Sequence, residues 1–158
     1  MLLGVLMFPS VAFAYYYHSG DQITLIASAL ICLTIGGTFF FSFANQDQNI
    51  RKREGYMIVA LSWIIMSVFG MMPYLLSGTI PNYSDAIFET VSGFTTTGAS
   101  ILTDIERLPE GILLWRSMTQ WIGGLGIIVL TVAIFPLLGI GGIELFVAES
   151  PGPTSDKV

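Results

Sequence analysis

The residues from Phe88 to Ser100 read FETVSGFTTTGAS, and no Lys or Arg stands among them. The stretch offers oxygen in two forms. One is the set of hydroxyls of Thr90, Ser92, Thr95, Thr96, Thr97 and Ser100. The other is the backbone carbonyls of a run in which Gly98 permits turns closed to residues with a side chain. The chemistry this suits is replacement of the water around a bare potassium or sodium ion, because rings of carbonyls can hold such an ion inside a membrane. Extended backbone at Thr95, Thr96 and Thr97 would aim carbonyls at one axis, with the hydroxyls bracing the backbone or adding a ligand. The plainer alternative is a beta turn in an external loop, and local composition does not separate the two. Asp85 and Glu89 lie just upstream. They either cap and brace a short helix or attract cations directly, and the structural role ranks first. Arg116 either pairs with one of these acids or carries its charge to the surface along its aliphatic stem.

The surroundings decide between loop and ion path. The 158 residues are 53% hydrophobic and only 11% charged, whereas soluble domains have roughly a quarter charged residues. The chain is therefore expected to be an all-α membrane protein. Six basic and eleven acidic residues leave a net charge of -5, which argues against a nucleic-acid partner. Cys32 and His18 are the only residues of their types, so neither an internal disulfide nor a Cys–His metal set is available. No catalytic set supports hydrolysis, no tightly bound cofactor is implied, and the expectation is a non-enzyme.

Four apolar runs are long enough to matter. The first covers Met1 to Tyr17. Ala12-Phe13-Ala14 resembles a signal-peptidase site, yet no basic residue precedes the run and it continues into Tyr15, Tyr16 and Tyr17. A membrane helix with an interfacial aromatic cluster fits better than a cleaved signal. The second run, Gln22 to Ala44, can cross a hydrocarbon core of about 30 Å. Gly36 and Gly37 in it either admit a close helix neighbour or are ordinary membrane-helix glycines. Residues 45–55 are polar and hold Arg51-Lys52-Arg53, the one basic cluster, which places this loop in the cytoplasm. The third run covers 56–76, with Pro73 near its end, and Ser77 to Asn82 turn on the outer side. The last run, Trp121 to Ile143, follows helical turns from about Gly111 and is expected to bend at Pro136, Gly139, Gly141 and Gly142. A cytoplasmic tail occupies 144–158.

Between the third and last runs, residues 84–92 are too short to cross. Ser84 is the expected N-cap, Asp85 suits the first turn, and Gly93 is expected to supply a left-handed stop. Such a helix would be about 14 Å long at roughly 1.5 Å per residue. A half-helix followed by polar backbone is a re-entrant loop, tolerated at membrane depth only against protein or water. Its C-terminal dipole end would favour a cation. Asp85, Glu89, Asp104, Glu106 and Glu110 outnumber Arg107 and Arg116 in this segment, and that excess would concentrate cations near a mouth.

The stretch from Ser92 to Ser100, SGFTTTGAS, resembles the first pore loop of the TrkH/TrkG-type bacterial potassium-uptake proteins. Gln120 to Leu130 (QWIGGLGIIVL), Arg51 to Tyr56 (RKREGY) and Glu149 to Pro153 (ESPGP) resemble the same family. Nearly the whole chain is covered and the combined motifs are specific. The resemblance implies two leading transmembrane helices in 1–44 and the first membrane–pore–membrane unit in 56–143, in a potassium-channel-like fold. The pore helix is expected at 84–92 and the filter loop at 93–100. It further implies potassium ligated by carbonyls at Thr96 and Thr97, and filter geometry set by Thr95 and Gly98. Potassium is then the substrate, in the bacterial inner membrane, and membrane lipid is a second partner. A cytoplasmic nucleotide-binding regulatory subunit is also implied. The family surrounds one pathway with four such units, and this sequence has one. The expectation is an N-terminal first quarter beginning inside its first helix, whose missing pore units belong to the parent protein. A non-conducting membrane interaction fragment is the alternative.

Overall fold

The computed structural model describes residues 1–43, 52–129 and 132. Its order is α1 (Leu2–Leu6), α2 (Phe8–Tyr17), α3 (Gln22–Phe43), α4 (Lys52–Gly70), α5 (Met72–Ser77), α6 (Tyr83–Phe94), a 3₁₀ turn (Ile105–Arg107) and α7 (Glu110–Val129). The chain divides into two units, Met1–Gly124 and Leu125–Val158. The packing described below lies within the first.

Among the described residues, three helical stretches are long and apolar enough to cross a membrane: Gln22–Phe43, Glu54–Ser77 and Glu110–Val129. The shorter Leu2–Tyr17 is apolar too. Two expectations shift. The basic loop gives way to helix at Lys52, so only 45–51 of the expected 45–55 fall outside the described residues. The last span begins at Glu110 rather than Trp121, because Gly111 to Gln120 continue the same helix. The expected bend at Pro136 to Gly142 and the tail at 144–158 lie outside the described residues.

Proline explains two helix breaks. Pro9 and Pro73 each stand at the start of a new helix, α2 and α5, where a missing N–H costs least. At the α4–α5 break Tyr74 N donates to Met71 O at 3.1 Å, three residues back. The Gly70 carbonyl, four residues back, accepts instead from Trp115 Nε1 on α7 at 2.9 Å. A broken ladder in lipid needs such a substitute donor.

The leading helices are tied to the rest by close contacts. A Cβ added at Gly4 would lie 2.8 Å from Ala29 O and 2.9 Å from Leu33 Cγ, so α1 and α3 approach through glycine. Gly36 packs against Met1, whereas Gly37 faces open space, so of that pair only Gly36 marks a close approach. Cys32 is buried among Met7, Ala14, Leu25, Ala29, Tyr74, Ile80, Ala86, Ile112 and Trp115. Asp21, in the α2–α3 turn, is 4% exposed. Its Oδ2 accepts from Ile112 N at 2.8 Å and its Oδ1 from Ser19 Oγ. A carboxylate from the leading pair thereby caps the positive end of α7.

Candidate functional site

The short helix is longer than expected and starts from a different cap. α6 runs Tyr83–Phe94 instead of 84–92. Its N-cap is Asn82, whose side-chain oxygen accepts from Ser84 N at 3.0 Å. Ser84 is already helical, so the expected Ser84 cap is corrected. Asn82 wins because its extended backbone, φ -86° and ψ 126°, turns the amide side chain over the first free N–H groups. Asp85 stands in the first turn, as expected.

Gly93 is not the left-handed stop. It is helical and buried, and an added Cβ would collide with Thr119 Oγ1 and lie 3.1 Å from Thr119 Cβ. The absent side chain here admits α7. Gly123 on α7 does the reciprocal job: its added Cβ would collide with Phe94 O and lie 2.7 Å from Phe94 C. On the other side, a Cβ at Gly70 would meet Phe94 Cε2 at 2.7 Å and Thr90 Cγ2 at 2.9 Å. α6 is thus held between α4 and α7 by three glycine contacts, Gly70, Gly93 and Gly123.

The helix ends at Phe94, and Thr95 is the C-cap at φ -79° and ψ -1°. The left-handed residue that follows is Thr96, so the extended backbone expected at Thr95 and Thr96 is not found. Thr97 N donates to Ser92 O at 3.1 Å and Thr96 N to Gly93 O at 3.0 Å, the paired bonds of a Schellman motif. That motif needs a left-handed residue, and Thr96 fills it with φ 57°. A β-branched residue there is uncommon. Hydroxyls brace it: Thr95 Oγ1 donates to Val91 O at 2.8 Å and sits 2.8 Å from Thr97 Oγ1, and Thr96 Oγ1 donates to Thr95 O at 2.7 Å. Gly98 follows with φ 76° and open space around an added Cβ. Thr95 through Ala99 are exposed. The carbonyls of Thr96, Thr97 and Gly98 accept no hydrogen bond among the described residues.

The return limb is fastened to α6. Ser92 Oγ donates to Ala99 O at 2.5 Å. Glu89, 2% exposed, accepts from Ser100 Oγ at 2.9 Å, Ile101 N at 3.2 Å and Arg116 Nε at 2.7 Å. Of the two acids weighed from sequence, Glu89 is therefore a buried brace. Asp85 is partly exposed and makes no side-chain hydrogen bond or ion pair among the described residues. Arg116 pairs with Glu89 rather than reaching the surface, and exposed Arg107 pairs with Asp104 at 2.7 Å.

Sequence reasoning missed Asp21, Gly70, Trp115 and Ser92 as positioning residues. Their partners lie up to 91 positions away, and no periodic pattern encodes such pairings. The Gly123-Gly124 pair was visible, but nothing in it says that Gly123 meets Phe94 while Gly124 faces open space.

A family model described as TrkH, cation transport protein, matches residues 22–158. The Trk system potassium uptake protein TrkH of Halomonas elongata is 38% identical over 158 residues, covering 99% of this chain and 33% of that protein. TrkH of Escherichia coli K12 is 40% identical over 156 residues, covering 98% of this chain and 32% of its own length. The crystal structure of the potassium transporter TrkH from Vibrio parahaemolyticus superposes with a TM-score of 0.80 at 37% identity, over 89% of this chain and 30% of that one. The chain spans about a third of the length of the curated relatives it matches. The fold is the expected all-α, multi-pass membrane arrangement.

Proposed function

This chain belongs to the TrkH family of cation transport proteins, and we propose that its Thr95–Gly98 loop forms one side of a potassium path across the bacterial inner membrane. The observation that carries this reading is the set of carbonyls at Thr96, Thr97 and Gly98 that accept no hydrogen bond among the described residues, exposed at the end of a braced half-helix. Oxygen dipoles without protein donors are what a dehydrated cation needs, and the C-terminal end of α6 adds a favourable dipole. Thr96 and Thr97 supply ligands, Thr95 braces the backbone through Val91 O, and Gly98 sets the turn. Asp85 adds negative charge at the outer end of α6, where it attracts cations.

One loop supplies one side of a carbonyl ring, so the path needs further pore units, in keeping with the chain's one-third share of its relatives' length. In this reading residues 1–44 are two leading spans, 45–55 face the cytoplasm, 56–143 are the first pore unit and 144–158 return to the cytoplasm. A cytoplasmic nucleotide-binding subunit regulates the assembled transporter, and lipid surrounds its exposed apolar faces.

The test is Gly98→Ser in a full-length transporter carrying these residues. The φ of 76° strains any L side chain, so the carbonyls shift. Potassium uptake, or its preference over sodium, should fall at matched membrane abundance. Normal uptake and selectivity would leave an external turn as the better description.

A further inference from the structure

We infer that Glu89, Ser92 and Ser100 act together as positioning residues that set the span of the loop, with Arg116 keeping the site behind it neutral. The inference rests on the pore-loop reading and adds to it a device that holds carbonyl spacing from behind. Glu89 and Ser92 are three positions apart on α6 and therefore share a face. That face grips the return limb at three successive residues. Ser92 Oγ holds Ala99 O at 2.5 Å, and the Glu89 carboxylate holds Ser100 Oγ at 2.9 Å and Ile101 N at 3.2 Å. Ser100 Oγ in turn accepts from Leu102 N at 3.1 Å. The outgoing limb is fixed to the same helix by Thr96 N to Gly93 O and Thr97 N to Ser92 O. Both ends of the exposed tip are therefore anchored to one rigid element, and the distance between anchors limits where the carbonyls can go.

Charge explains why the anchor is an ion pair. A lone buried carboxylate behind a cation path would draw the cation away from the carbonyls. Arg116 Nε stands 2.7 Å from Glu89 Oε1, with side chains 14% and 1% exposed. A buried charge of either sign needs such a partner. Because Arg116 is on α7, the clamp also joins the loop to the helix that Asp21 caps.

The experiment uses the full-length transporter and compares potassium with sodium uptake at matched abundance. Ser100→Ala removes one hydroxyl at a partly buried site and leaves the Glu89–Arg116 pair intact. The potassium preference is expected to fall several-fold with little change in melting temperature, and Ser100→Thr, which keeps the hydroxyl, should restore it. Combining Ser100→Ala with Glu89→Gln should cost no more preference than Glu89→Gln alone, since Ser100 acts through Glu89. Ser92→Ala, read the same way, cuts the other tie should Ser100→Ala fail to reach the membrane. An unchanged preference in Ser100→Ala, or in Ser92→Ala where that replaces it, overturns the clamp. Gly98→Ser separates the two readings. If it impairs transport while the clamp variants do not, only the clamp fails; if all are silent, the pore loop fails as well.

Discussion

The ends of α5 and α6 use a left-handed residue to stop a helix, and they use different residue types. At the end of α5 the residue is Gly78, φ 71°, with open space around an added Cβ. At the end of α6 it is Thr96, φ 57°. Glycine takes this conformation without a Cβ penalty, whereas a side-chain residue there costs about 1–2 kcal/mol. The α5 turn needs only a change of direction. The α6 turn holds the same geometry at a cost, and surrounding bonds sustain it: Thr96 N to Gly93 O, Thr97 N to Ser92 O and Thr96 Oγ1 to Thr95 O. Strain held this way is a mark of functional sites. Threonine is stiff at χ1, so the residue that is costlier to place is also harder to move.

The comparison breaks most sharply at Glu89. Glu89→Ala leaves the largely buried Arg116 without its carboxylate, and removing one partner of a buried pair costs about 3–5 kcal/mol. The full-length protein should show a large drop in melting temperature or fail to accumulate in the membrane. Ser77→Ala, beside the α5 turn, removes local bonds alone, to Tyr74 O, Thr79 Oγ1 and Thr79 N, and should do neither. Equal losses from the two variants would erase the distinction between the turns.

A smaller effect is expected where α7 meets the end of α6. Gly123→Val drives a side chain into the Phe94 backbone, and overpacking of this kind costs roughly 1–3 kcal/mol. Gly124→Val meets open space and serves as the control. Thermal melts in detergent should rank Gly123→Val well below Gly124→Val; a reversed order would mean that α6 is not seated on α7 as described.

The smallest and most diagnostic pair exchanges the two turn residues. Gly78→Ala should destabilise by about 1 kcal/mol and leave transport alone, since only backbone strain is added. Thr96→Gly should raise stability by a similar small amount, about 1 kcal/mol, as the strain disappears. Potassium preference should nevertheless fall, because the freed peptide can turn its carbonyl. A Thr96→Gly variant that gains stability and keeps its selectivity would show that the threonine is incidental.

Much of this was legible in the residues. The apolar runs marked the helices because lipid leaves backbone groups no partner except one another. The thirteen-letter stretch FETVSGFTTTGAS marked the loop because hydroxyl and glycine residues have no apolar work to do there. Local signals misled at the helix ends. Ser84 and Gly93 are good cap residues by type, yet Asn82 lies in reach of the free N–H groups, and Gly93 lies inside the helix where α7 approaches through Thr119. Asn82 and Ser84 are of similar cap propensity, and the extended backbone at Asn82 decides between them. At Gly93 the neighbour that matters, Thr119, lies far along the chain.

The sequence by itself determined the class of protein, the presence of long apolar helices and the loop that carries the polar oxygens, since these follow from composition and from the reach of a helix across hydrocarbon. Tertiary structure alone decided which acid is a brace and which has no partner among the described residues, which glycine is a socket and which is a turn, and that Asp21 of the leading pair caps α7. The brace, the sockets and the cap each depend on a partner far along the chain, and only the fold brings the two within the few ångströms over which hydrogen bonds and steric contact act.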